Sequence, residues 1–482
     1  METVPVASRA GGDRLSDLPD YLLHSVLSSL RSRQMVQTCL LSRRWRHLWR
    51  SVPCLDVDQR DFLSVDPERE ALKERLARKR SFEDFADSVL PLNGAWPLDA
   101  YRLHVADQYL RKDSYRWIRR GLARRPEELG VAYGFRSHPD HPSFSFDLVS
   151  GGAGALPQTS RLRSPHLSGL TLSKEFVEEL RSECPVLEEL KLVNCGYDYA
   201  VGGRIASRSL KRLHIEGHCD DSYSYRGFGT LNPLDMPALV SLNLVKVHLP
   251  HSEDELQSLH VASITYPDKY AGEYLFMKSL RNATVLELRS FTTTGLLLEE
   301  EFRNFHNLRT LILTECDIGD GCQVLRYLLE NVPNLETLVL NDCKLSGRCR
   351  RESASSCSGA TTFHWCNNLK HIQVQYKDHN VPPVLVAALT QIAKDLVRRT
   401  QRNSVGWLDW IHRVVSCSHT HIVSLSELYT AASVVVVESD NSMSDEEEEE
   451  HESRVWKHLA RKKHDRDGAI KARRRATHLA RR

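Results

Sequence analysis

The sequence predicts an α/β protein: a small all-α domain, then an irregular solenoid with a parallel sheet on its concave face and helices on its convex face, then a charged, disordered tail. Three features of the 482-residue chain predict this architecture. A Leu-x-x-Leu-x-Leu frame recurs through the middle of the chain at intervals of about 23 to 29 residues. Residues 13–57 instead carry apolar side chains at helical spacing. Residues 439–482 have few apolar side chains and two blocks of opposite charge, which is typical of disorder.

The overall composition favours a globular protein that works in water. Hydrophobic residues make up 41% of the chain, charged residues 27%, and the mean hydropathy is -0.41. We expect neither a secreted nor a membrane protein, because no apolar run approaches the length that spans a bilayer and the first residues lack a signal-like apolar core. The 12 cysteines include no C-x-x-C pair, so reduced thiols without bound metal or cofactor are expected.

The first domain is predicted at residues 13–57, after a disordered N-terminus at residues 1–12. Leu23, Val26, Leu27 and Leu30 follow the spacing of one helical face, and Pro19 suits the first turn of a helix. Two further short helices follow, the last of them carrying Trp45, Leu48 and Trp49. A unit of this size cannot bury so many large apolar side chains alone, so we expect it to have a partner surface.

The segment LSDLPDYLLHSVLSSLRSRQMVQTCLLSRRWRHLW in this domain resembles the F-box throughout its length. The resemblance implies docking to a Skp-type adaptor and, through it, to the cullin and RING subunits of a ubiquitin ligase. The alternative is an ordinary three-helix bundle that packs on the rest of its own chain. The residues that the resemblance assigns to the adaptor contact are Leu18, Pro19, Leu22, Leu23, Val26, Leu27, Leu30, Val36, Leu40, Leu41, Trp45, Leu48 and Trp49.

Residues 58–96 are predicted to form a helical linker with one docked face, because Phe82, Phe85 and Val89 have helical spacing. The preceding basic residues Arg75, Arg78, Lys79 and Arg80 could contact nucleic acid, but a solvated helix face is the favoured interpretation.

The repeat region is predicted at residues 97–402, since the spacing of the frame matches leucine-rich repeats. A degenerate unit is expected at Leu256/Leu259/Val261, and weaker strand candidates lie at Leu103/Val105 and Leu129/Val131. The clearest frames are Leu187/Leu190/Leu192, Leu210/Leu213/Ile215, Leu239/Leu242/Leu244, Ala283/Leu286/Leu288, Leu308/Leu311/Leu313, Leu335/Leu338/Leu340 and Leu369/Ile372/Val374.

Three cysteines support the repeat independently. Cys195, Cys316 and Cys343 each follow the first leucine of a frame by eight residues, where a repeat strand ends and the chain turns inward. A small side chain that donates weakly to backbone carbonyls suits this place, so we expect all three to lie in the core.

The repeats resemble the irregular leucine-rich repeats found downstream of plant F-boxes, over about residues 100–376. The stretch CNNLKHIQVQYKDHNVPPVLVAALTQIAKDLVRR is also similar to the start of the C-terminal FBD module of that family, which is incomplete after residue 402. Residues 403–438 match no pattern and receive no assignment.

The tail carries the charge asymmetry of the chain. Seven acids lie between Asp445 and Glu452, and twelve Lys or Arg against two Asp lie between Arg454 and Arg482. The basic residues are compatible with a split nuclear-localisation signal or with a solvated tail that pairs with the acidic block. The residues of the two basic clusters are Arg461, Lys462, Lys463, Lys471, Arg473, Arg474 and Arg475.

No catalytic motif stands out in the sequence. The glycine-rich Gly151–Gly154 lacks the residues of a phosphate-binding loop, and His138 and His141 lack further metal ligands at suitable spacing. The resemblance implies a non-catalytic substrate receptor of an SCF-type ligase, in the nucleus and/or cytoplasm, whose repeats bind an unidentified protein target. An interaction scaffold without a role in degradation and a nuclear nucleic-acid-associated factor are the alternatives, although neither a membrane nor a nucleic-acid partner is expected.

Overall fold

In the computed structural model, the described part of the chain comprises residues 18–64, 66, 71–106, 111–134, 145–146, 159–172, 180, 182, 184–197, 207–217, 236–247, 255–265, 275–291, 305–318, 323–344, 368–375 and 385. The predictions for residues 1–12, for residues 403–438, and for the tail with its two basic clusters lie outside this part. So do Gly151–Gly154, His138 and His141. Within these ranges, no helix has the length and apolar character needed to cross a bilayer.

The N-terminal domain contains three short helices. Pro19 stands at the N-cap of the first helix, and Leu23 and Leu27 on that helix are fully buried. Met35 of the second helix and Trp45 and Leu48 of the third also point into the core. The helices are α1 (Asp20–Ser28), α2 (Ser32–Gln37) and α3 (Trp45–Leu48), with 3-10 turns at Thr38–Leu40 and Trp49–Ser51.

A 12-stranded parallel sheet forms the rest of the described structure, in the order β1-β2-β3-β5-β7-β9-β10-β11-β12-β13-β14-β15. Its strands follow one another in chain order, as expected for a solenoid in which each coil contacts its neighbours. The three strands β4, β6 and β8 form a small second sheet. The strands are β1 (Cys54–Asp58), β2 (Ala100–Val105), β3 (Glu128–Tyr133), β4 (Ser145–Phe146), β5 (Ser164–Ser168), β6 (Thr171–Leu172), β7 (Glu189–Val193), β8 (Gly196–Tyr197), β9 (Arg212–Glu216), β10 (Ser241–Val245), β11 (Val261–Thr265), β12 (Val285–Arg289), β13 (Thr310–Thr314), β14 (Thr337–Asn341) and β15 (His371–Gln375).

Burial alternates along the repeat strands. From β7 onward, the second and fourth residues of every strand of the large sheet are buried, and the first, third and fifth are half-buried or exposed. The buried positions are the second and third residues of the Leu-x-x-Leu-x-Leu frame, such as Leu311 and Leu313 in β13. The other three positions form one surface of the sheet, called the concave face below. The predicted α/β solenoid is therefore confirmed.

The chain turns inward at the end of several strands through a residue with positive φ. Asn194 (φ 50), Glu315 (φ 54) and Asp342 (φ 49) each stand directly before one of the three repeat cysteines. The backbone N–H of Glu315 donates to Asn341 O on the next strand at 2.7 Å, so the turn continues the sheet's hydrogen bonding.

The three cysteines occupy the core, as predicted. Cys195 Sγ donates to Leu167 O at 3.4 Å, Cys316 Sγ to Leu288 O at 3.2 Å, and Cys343 Sγ to Leu313 O at 3.4 Å. Burial raises the pKa of Cys195 and Cys316 to about 11 and that of Cys343 to about 12. All three thiols are therefore protonated at neutral pH, in which state they are weak nucleophiles and weak metal ligands.

We predict that Cys316→Ser lowers the free energy of unfolding by about 1 kcal/mol, because a more polar hydroxyl is buried but can still donate to a carbonyl. Denaturant titration monitored by circular dichroism measures this difference. Cys316→Ala is the control, since it leaves no hydroxyl to bury. A serine variant as stable as the wild type would contradict the assignment of this position to an apolar core.

Two repeat frames differ from the sequence prediction. The unit expected at Leu256/Leu259/Val261 is shifted: the inward residues of β11 are Ala262 and Ile264, and Val261 is 40% exposed. Strand β5 was not predicted, because Pro165 occupies an inward position where most other strands of the sheet carry leucine or isoleucine. Proline has no N–H to donate, and the pairing of β5 with β7 begins only at the next residue, His166.

The sheet begins earlier than the repeat region predicted at residues 97–402. Strand β1 lies at the end of the predicted first domain and pairs in parallel with β2. The predicted linker contains helix α4 (Leu72–Leu92), which connects these two strands. Phe82 and Val89 of α4 are buried, as the helical pattern predicted, and Phe82 packs edge-on against Trp117 at 5.4 Å between ring centroids.

Among the described residues, two more helices stand between strands: α5 (Arg111–Leu122), which contains Trp117, and α6 (Gln323–Glu330). Trp117 Nε1 donates to Asp87 Oδ1 of α4 at 3.0 Å, and Arg120 donates to the same oxygen at 2.8 Å. This contact joins α4 to α5 on the side of the sheet opposite the concave face.

Polar contacts join the N-terminal domain to the sheet. The backbone N–H of Asp56 in β1 donates to the fully buried Ser32 Oγ of α2 at 2.8 Å. Arg31 forms ion pairs with Asp61 at 2.7 Å and with the buried Asp58 at 3.4 Å. Burial alone would raise the pKa of Asp58, but hydrogen bonds from Arg60 outweigh it and the pKa is lowered. The helical domain therefore covers the first edge of the sheet, which would otherwise present unpaired backbone groups.

Candidate functional site

Helix α1 is apolar on two sides, and only one side is covered by the described chain. Leu23 and Leu27 are fully buried, whereas Leu22 is 39% and Val26 49% exposed. Each pair is spaced four residues apart, so each forms its own short stripe along the helix. A helix that is apolar on more than one side is normally buried on all of them, so Leu22 and Val26 mark a candidate contact surface.

The 3-10 turn after α2 adds more exposed apolar area. Leu40 is 84% and Leu41 68% exposed, although both are large aliphatic side chains. Arg44, which follows closely, donates from Nη2 to Leu18 O at 2.5 Å and to Asp20 Oδ1 at 2.6 Å. This arginine ties the segment after Leu41 to the start of α1. We call the set Pro19, Tyr21, Leu22, Val26, Leu40 and Leu41 the exposed apolar surface.

The structure separates the residues predicted for the adaptor contact into three groups. Pro19, Leu22, Val26, Leu40 and Leu41 are exposed. Leu18, Leu30 and Val36 are half-buried. Leu23, Leu27, Trp45, Leu48 and Trp49 are buried in a core shared with the sheet. The buried residues support the surface from within, and Trp45, expected at or beside the contact, is only 5% exposed.

One residue of the exposed apolar surface was missed from the sequence. Tyr21 is 70% exposed on the first turn of α1, next to Leu22. It was missed because the helical stripe was counted from Leu23, Val26, Leu27 and Leu30, and Tyr21 does not fall in that spacing.

Exposed basic residues follow the exposed apolar surface closely in the sequence. Arg43, Arg46 and Arg50 are exposed on and around α3, and Arg44 pairs with Asp20 at the start of α1. Charged residues at the edge of an interface favour correct orientation of a partner more than they add affinity.

The concave face is the second candidate surface, and its charges pair across strands. Arg102 on β2 contacts Glu128 on β3 at 2.7 Å, and Glu189 on β7 contacts Arg212 on β9 at 3.2 Å. Burial alone would raise the pKa of Glu189, but the hydrogen bond and charge of Arg212 lower it overall. In the part of the chain that the structure describes, no group of His, Cys, Asp and Glu side chains is arranged to hold a metal ion. The concave face therefore carries charged side chains that are paired with one another across neighbouring strands.

Comparisons with known proteins identify the family. The F-box domain model matches residues 15–56, which span the three helices and the exposed apolar surface. The MEIOTIC F-BOX protein MOF of Oryza sativa subsp. japonica is 36% identical over 76% of this chain and 80% of that relative. F-box/LRR-repeat protein At3g58930 of Arabidopsis thaliana is 27% identical over 66% of this chain and 74% of that relative. The chain therefore belongs to the plant F-box/LRR family of protein-interaction adaptors.

Proposed function

We propose that this chain is the substrate-recognition subunit of an SCF-type cullin–RING ubiquitin ligase. The observation that carries the proposal is the exposed apolar surface, which lies in the F-box domain and which the described residues leave uncovered. F-box domains generally bind Skp-type adaptors, so the adaptor is the partner proposed for this surface. In this proposal the chain performs no chemistry and needs no cofactor.

The contacts between the N-terminal domain and the sheet support a second part of the proposal. A target held on the concave face and an adaptor held on α1 would be connected through Arg31, Asp58 and Ser32 rather than through a flexible linker. Such a connection holds the target near the ubiquitin donor and raises the effective concentration of its lysines.

Binding of the purified full-length chain to a purified Skp-type adaptor tests the proposal. We expect a saturable complex that an unrelated F-box domain displaces by competition for the same adaptor surface. Absence of binding by a folded chain would refute the adaptor assignment.

A role in degradation is tested separately in cells. Proteins labelled by proximity to this chain should accumulate when cullin activity is inhibited. Labelled proteins whose levels do not respond would instead favour an interaction scaffold without a role in degradation.

We also propose that the basic clusters of the tail direct nuclear accumulation, because their charge pattern resembles a split localisation signal. Deleting residues 439–482 should shift a tagged chain toward the cytoplasm and leave adaptor binding intact. Fluorescence imaging with co-precipitation of the adaptor measures both effects. An unchanged distribution would contradict the proposed role of the tail.

A further inference from the structure

Charge is distributed unevenly along the concave face. Among the strands of the large sheet, β1, β2, β3, β7 and β9 carry charged side chains on this face, including Arg102, Glu128, Glu189 and Arg212. On β12, the face carries Glu287 and Arg289, which pair with each other at 2.7 Å. On β13, β14 and β15, the same positions hold Thr, Ile, Val, Asn, Gln and His. The C-terminal part of the face is therefore nearly free of unbalanced charge.

Two large β-branched side chains lie together in this uncharged part. Ile312 on β13 and Val339 on β14 are register partners, so they stand on neighbouring strands about 4.8 Å apart. Both are half-buried, and Thr310 and Thr337 form the adjacent register pair. An aliphatic pair bordered by hydroxyl groups is suited to apolar side chains of a partner whose backbone can hydrogen-bond to the threonines.

The third residues of the strands form the central row of the face, and this row contains Ile312, Val339 and Lys191. Lys191 differs from the other two because it is charged. In the described part of the chain, Arg102, Arg212 and Arg289 each pair with a glutamate, whereas no ion pair or hydrogen bond is formed by the Lys191 ammonium group. His166 and His214 are its register partners on either side. Burial and the nearby Lys191 lower the pKa of His214, so the histidine is neutral at neutral pH and leaves the lysine as the local positive charge.

Unpaired polar atoms lie beside this lysine. Among the described residues, the buried His214 Nε2 lies 3.7 Å from Glu216 Oε2, beyond hydrogen-bond distance, and the buried Asn243 Oδ1 has no hydrogen-bond partner. The two residues are in register on β9 and β10. Buried polar atoms are normally paired, so a bound polar group is expected at this place.

We propose that the central row of the concave face binds a target segment with an acidic side chain at Lys191 and apolar side chains at Ile312 and Val339. Five strand spacings separate β7 from β13, or about 24 Å, which an extended segment of about seven residues spans. A segment with several basic residues is disfavoured, because Lys191 would repel it and Glu287, the carboxylate in register with Ile312, already pairs with Arg289. The inference rests on the proposed function and specifies its target chemistry.

Selection of a displayed random 16-residue peptide library on the purified full-length chain tests the inference. We expect enriched peptides to have low net charge, with an Asp or Glu about seven residues from an aliphatic pair. Replacing Ile312 and Val339 with Asp should weaken a selected peptide about tenfold or more, and Lys191→Glu should change the acidic preference to a basic one.

The control is Val240→Asp, which introduces one carboxylate at an exposed valine just outside strand β10 and is compared with each single aspartate variant of Ile312 and Val339. If the aspartates disturb folding, Ile312→Thr with Val339→Thr replaces them in the test, because threonine keeps the β-branched shape that suits a strand. This variant should weaken binding by a smaller factor than the aspartates. Enrichment of basic peptides, no enrichment, or equal loss in the Val240 variant would overturn the inference. Because no adaptor is present, these outcomes are independent of the adaptor-binding test, which decides the proposed function.

Discussion

Replacing Leu40 and Leu41 together with aspartate is expected to weaken binding to a Skp-type adaptor by several hundredfold while leaving the chain folded. Both side chains are largely exposed, 84% and 68%, so little apolar burial is lost from the folded chain. In a complex, each buried apolar anchor typically contributes about 2 kcal/mol or more, and about 1.4 kcal/mol corresponds to a tenfold change in Kd. The pair should therefore weaken binding by several hundredfold, and desolvation of the new carboxylates adds to this loss.

The chain offers a matched control for this experiment. Leu72 and Leu76 of α4 are also exposed leucines, 71% and 47%, but lie outside the exposed apolar surface. Replacing them with aspartate should leave the Kd within about threefold, as expected for residues away from an interface. Isothermal calorimetry gives both affinities, and thermal denaturation checks the folding of each variant. Equal losses in the two variants would refute the assignment of the docking surface.

Residues Leu18 and Pro19 are a less direct test of the same surface. Pro19 stands at the N-cap of α1, and Leu18 O accepts a hydrogen bond from Arg44. Replacing them changes the start of the helix as well as the surface, so a loss of affinity would have two causes. Variants of Leu40 and Leu41 test the adaptor contact alone, because these side chains are exposed and do not form the start of α1.

The repeat architecture could be predicted because leucine at the inward positions recurs at a fixed offset. The missed units show where this signal ends. In β1, Val52, Leu55 and Val57 occupy the frame and are all buried, but they follow the F-box segment directly and were assigned to it. In β5 and β11, Pro165 and Ala262 take inward positions, because a half-buried strand requires only that the side chain fit the core.

The candidate site was less predictable than the fold. Leu22 and Leu23 are adjacent and equally apolar, yet Leu22 is 39% exposed and Leu23 is fully buried. Which of two apolar helix faces is covered depends on what packs against the helix, and that is set by tertiary structure. For the same reason the sequence could not show that Trp45 supports the surface rather than contacting a partner.

The second large effect is expected at Gly121, on the last turn of α5. Alanine normally stabilises a helix by up to about 1 kcal/mol relative to glycine. Here a Cβ on residue 121 would overlap ring carbons of Tyr101, which is fully buried and whose hydroxyl donates to Trp117 O at 3.2 Å. Because the ring is buried and held by its hydrogen bond, Gly121→Ala should lower the free energy of unfolding by about 3 kcal/mol, the upper part of the range for overpacked cores.

A double-mutant cycle with Tyr101→Leu distinguishes the clash from a general effect on the helix. Tyr101→Leu alone should be destabilising, because it opens a cavity and removes the hydrogen bond to Trp117. With the ring gone, adding Gly121→Ala should cost nothing or stabilise slightly, so the two changes should be coupled by about 3 kcal/mol. Chemical denaturation of the four proteins supplies the cycle. If Gly121→Ala destabilised both backgrounds equally, the contact between α5 and β2 would not be the cause. Adaptor affinity of the folded fraction should be the same in all four proteins, since Gly121 and Tyr101 lie outside the exposed apolar surface.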